Sequence, residues 1–366
     1  MLDAFKSLPG WLKLWIVFPL GFLNGWLLLR LFDYLQPFLN ILIAAAILAF
    51  LLDLPAIFLQ QRGIPKGVAI AAVVSTAMLL LIGLGSFVVP IIIDQLRALI
   101  SNLPQLLESG QLQLQRFRAF AIAQNLPINI TDLLNQQLAQ LGTLFQVASN
   151  QVLNVVSETI SSAVNVLFFI VLTIFIILGG ESAWEGIFSW FPAPWNETLR
   201  TSIQSTFRRY FGTQVLLASI LGVAQTLGLV FWGVPYAVLF GVTMGVATLI
   251  PYAGAVVTLL VSLIVALQDF GQGVRVLITA IAIGQINDIF LSPRLMGETI
   301  GLNPIWIIAS LFLGGKVGGL LGLLVAVPVA SVIKSTFDRL RSTSQPTDSP
   351  SSVAAVPPSP LPSEPT

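Results

Sequence analysis

Gln285, Asn287 and Asp288, followed by Ser292, Pro293 and Arg294, form the most polar patch in the otherwise apolar C-terminal half of the chain. An ionisable residue within a membrane span costs roughly 2.5–3.5 kcal/mol at a helix centre, so it ordinarily faces a protein interior or water. Asp288 is therefore the first candidate for binding or coupling. The competing structural role is a boundary carboxylate paired to Arg294. Lys316 is the second candidate, because it stands inside the run Gly314–Gly319, GGKVGG, with apolar sequence on both sides. Its long stem could instead snorkel to an interface. Asp53 lies near the inner end of an apolar run, where a helix-end role is favoured over transport.

Catalytic chemistry is poorly provided for. The chain has no histidine and no cysteine, which removes the usual metal ligands, the thiolate nucleophile and the side chain that titrates near neutrality. No HExxH or Gly-x-Ser-x-Gly occurs. The Gly315-Lys316 pair continues with Val317 where a phosphate-binding loop needs Ser or Thr. No enzyme, resident metal or cofactor is implied, and ATP-driven transport within this chain is excluded on the same ground. With 17 basic and 16 acidic residues the net charge is +1, which gives no reason to expect a nucleic-acid partner.

What must position these residues is a membrane-embedded scaffold. The chain is 56% hydrophobic and only 9% charged, with mean hydropathy +0.91, against roughly 25% charged residues in an ordinary soluble domain. From Tyr210 to Gln268 there is no Asp, Glu, Lys or Arg. A helix needs about 20 apolar residues to cross a ~30 Å hydrocarbon core, so this run predicts two or three crossings. Further charge-free runs cover Leu14–Leu29, Tyr34–Leu52, Gly67–Ile93, Thr159–Gly180, Val276–Asn287, Thr299–Gly315 and Val317–Ile333. The first has no small-residue cleavage site and reads as a spanning helix, not a signal peptide. The expected fold is an all-α polytopic membrane protein with about eight spans.

Lys and Arg concentrate on the cytoplasmic side. The bias is satisfied with Lys6, Lys13, Arg62, Lys66, Arg200, Arg208, Arg209, Arg275, Lys334, Arg339 and Arg341 inside, and with Arg30, Arg97, Arg116, Arg118 and Arg294 outside. Both termini are then cytoplasmic in a multi-pass protein of the cell membrane. Four regions follow: residues 1–93 as a three-span block, 94–155 as an extracytoplasmic segment, 156–341 as the C-terminal transport block, and 342–366 as a Ser/Pro-rich cytoplasmic tail too polar to bury a core. Within 94–155, Leu134, Leu138, Leu141, Phe145, Val152 and Val156 recur at the spacing of one helix face.

Two apolar segments are too long for one crossing. Pro235–Leu267 is interrupted near its middle by Pro251, Tyr252, Ala253 and Gly254, and Pro304–Ile333 by the glycine run around Gly315, Lys316 and Gly318. Straight helices of this length would overshoot the hydrocarbon by roughly 15 Å. Proline removes a backbone donor and paired glycines weaken a helix, so both are expected to break within the membrane, as re-entrant hairpins or as kinked spans. Breaks expose main-chain groups that a solute can satisfy and lipid cannot, and paired breaks point to a transport site. The plainer role of small-xxx-small pairs such as Gly241/Gly245 and Gly318/Gly322 is close helix packing.

"RRYFGTQ" at Arg208–Gln214, "IPYAGAVV" at Ile250–Val257, "NDIFLSPRLMGETIGLNP" at Asn287–Pro304 and "GGKVGGLLGLLVAVPVA" at Gly314–Ala330 resemble the C-terminal half of the autoinducer-2 exporter family of permeases. The similarity extends to the layout over about residues 10–341. It implies an eight-span, homo-oligomeric permease working by secondary transport, with export of autoinducer-2 in some members and monovalent cation/proton antiport proposed for others. The implied motif positions are Gln214, Pro251, Tyr252, Gly254, Asp288, Pro293, Gly297, Pro304, Gly315, Gly318 and Pro328, with Ala255 standing where members commonly carry Pro. The expected function is therefore a permease for a small polar solute. The alternatives are a cation/proton antiporter using Asp288 and a non-transporting membrane scaffold using the 94–155 segment.

Overall fold

A backbone in hydrocarbon must satisfy its hydrogen bonds internally, and helices do so within one segment. The computed structural model describes residues 10–123, 163–190, 195–296 and 302–343, with isolated positions between 140 and 151 and residue 192. The described residues form helices and turns and no strand. In chain order these are α1 (Gly10–Gln61), α2 (Lys66–Ser101), α3 (Leu103–Ala123), α4 (Ala163–Phe188), α5 (Trp195–Phe231), α6 (Ala237–Ala247), α7 (Ala253–Gln268) and α8 (Phe270–Ile286), then a π turn (Asn287–Leu291), α9 (Ser292–Met296) and α10 (Pro304–Thr343). The periodic face from Leu134 to Val156 and the tail beyond residue 343 lie outside the described residues.

Among the described residues five helices are long and apolar enough to cross a membrane, or six if the Asn165–Gly180 and Ser182–Phe188 parts of α4, bent by 75°, make one span. The expected eight is not reached among the described residues, and three features bear on the count. First, the Leu14–Leu29 and Tyr34–Leu52 runs stand on one unbroken 52-residue helix, α1. No turn separates them, although Pro19, Pro37 and Pro55 lie inside it.

Second, α6 and α7 form a helical hairpin. α6 runs antiparallel to α5: a methyl added at Gly245 would lie 2.5 Å from Gly222 Cα, and Gly241 backs onto Thr226 in the same way. The small-xxx-small spacing thus packs helices, as its plainer role requires. At the entry, Asn102 Nδ2 donates to Tyr236 Oη (2.8 Å) and Leu239 N donates to Gln95 Oε1 (2.8 Å), so α2 supplies an acceptor for one of the orphan donors that open α6. At the exit, Gln113 Nε2 on α3 donates to Leu267 O (2.9 Å). The exit thus lies against the middle of α3, and Gln272 Nε2, just past it, donates to Trp232 O (3.2 Å) just before the entry, so both ends of the hairpin lie at the same end of the bundle. Met244, Val265, Leu99 and Val276 are each 1% exposed, which places the main apolar core around the buried α6.

α8 starts at that same end, with Asp269 capping its N-terminus by accepting from Gln272 N (3.0 Å). It then descends antiparallel to α5. The rungs are Gln272 Nε2 to Trp232 O (3.2 Å), Gln225 Nε2 to Ala280 O (3.3 Å) and Thr213 Oγ1 to Leu295 O (3.3 Å). Arg275 consequently lies 5.5 Å from the Trp232 ring, at the α2–α3 end with Arg97, whereas Arg294 lies at the Arg208 end. The sequence placed these two the other way round, because it counted the 235–267 stretch as a crossing. The exchange of these two is one for one.

Third, α10 doubles back. Gly319 has φ 57° and ψ −135°, a conformation that only glycine adopts readily. A methyl added at Gly314 would lie 2.5 Å from Gly322 O and 2.8 Å from Ala326 Cβ, and one at Gly315 would lie 3.0 Å from Leu323 Cδ2. Residues eight apart on a straight helix are about 12 Å apart, so the two arms lie side by side. Leu302, Ile307, Leu311 and Val327 pack with Phe207, Tyr210 and Phe211 of α5 and with Ile47 and Leu51 of α1.

Candidate functional site

The first break is built on α5. Gln214 is 7% exposed and donates from Nε2 to Thr248 O (2.7 Å) and, more weakly, to Leu249 O (3.4 Å), the carbonyls left open where α6 ends. These two acceptors fix the amide orientation. Gln214 Oε1 then faces the other way, buried and without a hydrogen-bond partner among the described residues. Pro251 occupies the turn, Tyr252 has φ 68° and starts α7, and Gly254 sits where a methyl would come within 2.8 Å of Thr248 Cγ2. Gln214, Pro251, Tyr252 and Gly254 are thus brought together.

Tyr210, one turn before Gln214 on the same face, is 3% exposed and its hydroxyl is also buried without a described partner, as is Ser202 Oγ nearer the start of α5. Gln225, 6% exposed, continues the face toward the other end. Sequence analysis did not single out Tyr210 or Gln225 as site residues. The signal was available: in a charge-free run, Tyr210, Gln214 and Gln225 fall four and eleven residues apart, close to whole turns of a 3.6-residue helix. Buried polar atoms are overwhelmingly paired in folded proteins, so a row of unpaired ones on one helix calls for a partner such as water or a solute.

The polar patch at the end of α8 is less enclosed. Gln285 and Asp288 are exposed, Asn287 is half-buried, and Asn287 Nδ2 donates to Asp288 Oδ1 (2.9 Å) while Asn287 Oδ1 is buried without a described partner. The segment is not a regular helix, because the π turn begins at Asn287 and shifts every residue after it. π turns of this kind recur at functional sites. Pro293 and Arg294 are exposed on α9. No Asp288–Arg294 ion pair forms among the described residues, whose salt bridges include Arg97–Asp94, Arg200–Glu185 and Arg208–Asp53. The last of these joins α5 to α1, so Asp53 is an interhelical partner within α1 and not a helix-end group. The Thr213–Leu295 hydrogen bond brings the end of this patch within one residue of Gln214 on α5.

The second break is separate. Gly315 packs against Leu323, Lys316 is exposed, and Gly318 has open space around it. α10 packs on α5 and α1, not on the first hairpin. A cavity of about 860 Å³ lies between its arms and α1, and of the candidate site residues Gly318 alone lines it. Its walls are almost wholly apolar, which suits it poorly to a polar solute.

Residues 16–342 match the family described as AI-2E family transporter. The chain belongs to this family. Relatives carry the same kind of name: a "Putative transport protein" of Synechocystis sp. is 34% identical over 334 residues, covering 90% of this chain and 97% of the relative. A second from the same organism is 34% identical over 328 residues, covering 88% and 83%. "Putative transport protein YueF" of Bacillus subtilis is 26% identical over 314 residues, covering 81% and 82%. This AI-2E family member is thus a multi-pass membrane protein of a transport family, and its family and relatives point to a transporter, not an enzyme.

Proposed function

We propose that this AI-2E family protein is a secondary transporter of a small, uncharged, hydroxyl-bearing solute, a class that includes autoinducer-2. The observation that carries this reading is the Gln214 oxygen, buried and unpaired among the described residues at the tip of the α6–α7 hairpin, one turn from the Tyr210 hydroxyl, which is likewise unpaired among them. Amide and hydroxyl groups with no formal charge between Tyr210 and Gln268 suit donors and acceptors on a neutral solute better than an ion. Asp288 is exposed and meets the neighbouring Asn287 amide, so proton exchange through it has no geometric support.

In this proposal the end holding Arg62, Lys66, Arg200, Arg208, Arg209 and Arg294 faces the cytoplasm and the α2–α3 corner faces outward. The α6–α7 hairpin then dips in from outside. With α1 unbroken, a single crossing by Tyr34–Gln61 carries the residues before Tyr34 to the outer side. An N-terminus inside requires a second crossing by Leu14–Leu29.

The test is flux into proteoliposomes of isotope-labelled autoinducer-2 and simple polyols, with and without an imposed pH gradient. Gln214→Leu should lower saturable flux about three- to tenfold, the worth of one neutral hydrogen bond, while insertion is normal. Wild-type flux in Gln214→Leu would remove the first break from the site.

A further inference from the structure

We propose that the cavity between α1 and the α10 hairpin is a lipid site that holds one acyl chain of an anionic phospholipid from the surrounding bilayer. The hairpin register decides where its two ends lie. Gly314 stands beside Gly322 and Ala326, and Gly315 beside Leu323, so counting outward along both arms brings Asn303 level with Lys334 at the hairpin base. Both line the cavity. Asn303 Oδ1 already accepts from Ile305 N (3.1 Å), and its Nδ2 is the donor it can offer a ligand. An amide donor and an ammonium group together suit a phosphate oxygen, not a cation.

Away from this base the wall changes character. Leu313, Val317, Val325 and Val329 of the two arms face Leu39 and Ile43 of α1 across the cavity. Leu313 is 63%, Val317 56% and Val329 41% exposed. Tyr34–Gln61 of α1, which carries Leu39 and Ile43, is long and apolar enough to span a membrane, so the α1 wall of the cavity lies at hydrocarbon depth. Its volume of about 860 Å³ falls in the range of ligand sites of ~300–1,000 Å³, apolar with few placed polar groups. A polar base and an apolar bore at membrane depth match a molecule with an anionic head and a hydrocarbon tail.

The experiment is native mass spectrometry of the full chain, purified in mild detergent and supplied with mixed vesicles of equal phosphatidylglycerol and phosphatidylcholine. The expected result is one retained phosphatidylglycerol per chain, in preference to phosphatidylcholine. Ala330→Trp, which fills the bore, should abolish retention, and Lys334→Gln should lower the preference about tenfold while tail binding persists. Equal retention of both lipids by the wild type, or undiminished retention in Ala330→Trp together with unchanged preference in Lys334→Gln, would overturn the proposal. So would quantitative disulfide crosslinking between copies of a Leu313→Cys chain, which would put a second copy over the cavity. The chain has no native cysteine to confuse that result.

Discussion

Four glycines around the second break separate a doubled hairpin from a straight helix by the sign of a stability change. In a straight helix, replacing any interior glycine by alanine gains about 0.5–1 kcal/mol, because alanine loses less backbone entropy and has the higher propensity. The doubled α10 predicts otherwise. A methyl at Gly322 overlaps the Gly314 carbonyl of the opposite arm, and one at Gly314 meets Gly322 O at 2.5 Å and Ala326 Cβ at 2.8 Å, whereas one at Gly318 meets nothing within 4 Å. Overpacking costs typically 1–3 kcal/mol. The propensity gain is common to all, so it cancels in the difference. Gly314→Ala and Gly322→Ala should therefore be less stable than Gly318→Ala by about 1–3 kcal/mol. Gly318→Ala should be slightly more stable than wild type. Gly319→Ala keeps open space but must hold φ 57° and ψ −135°, which costs a side-chain-bearing residue about 1–3 kcal/mol. The assay is reversible unfolding in detergent followed by tryptophan fluorescence, since the chain has 8 Trp. If Gly314→Ala, Gly318→Ala and Gly322→Ala all stabilise by the same amount, the arms are not in contact and the doubled helix is wrong.

Three further outcomes follow from the first hairpin and its support. Gly254→Leu drives a side chain toward Thr248, 2.8 Å from where its Cβ would stand, and should cut solute flux several-fold at normal membrane insertion; unchanged flux would show that the turn does not serve transport. Asp53→Asn should cost about 1–3 kcal/mol in detergent stability by leaving Arg208 without its charged partner, with partial recovery in the charge-swapped pair; no loss would mean the α1–α5 contact rests on apolar packing. Single cysteines at Gln113 and Asp269 should label from one side of the membrane and a cysteine at Ser205 from the other, with a tag at residue 3 reporting how α1 begins; opposite labelling of Gln113 and Asp269 would turn the hairpin back into a crossing.

Composition made the membrane setting legible, because a chain so poor in charge cannot cover a surface in water. Chain over-length made the two breaks legible, and Pro251 and the GGKVGG run marked their places. The count of spans was not legible. Hydropathy measures how much apolar chain there is, not whether it returns to the side it left, and that is settled by side chains on other helices. Gln95, Asn102 and Gln113 hold both ends of α6–α7 at one end of the bundle, and they sit about 130–155 residues away from their partners in the chain. The unbroken α1 escaped notice for a related reason: Arg30 and Asp33 interrupt the apolar pattern without interrupting the helix. At the site, motif resemblance singled out Gln214, Pro251, Tyr252 and Gly254 together. It gave no warning that Asp288 would be exposed, since the π turn at Asn287 rotates the residues that follow.

Glutamine does in this fold what charge cannot do cheaply in hydrocarbon. An unsatisfied main-chain group in the membrane costs several kcal/mol, and each helix end or break creates such groups. Lysine or aspartate could satisfy them only by bringing a charge along. The amide brings a donor and an acceptor without one, on a stem long enough to reach a neighbouring helix. Gln95 accepts from Leu239 N, and Gln113, Gln214, Gln225 and Gln272 donate to the carbonyls of Leu267, Thr248, Ala280 and Trp232. Each joins two elements far apart in sequence. Four of these five amides have no buried, unpaired side-chain atom among the described residues; Gln214 has one, its Oε1. A purely structural amide at that place could be exchanged for one whose second group reaches water. The arrangement at Gln214 instead fastens the hairpin tip with one half of the amide and holds the other half available, as the proposed site for a neutral solute requires.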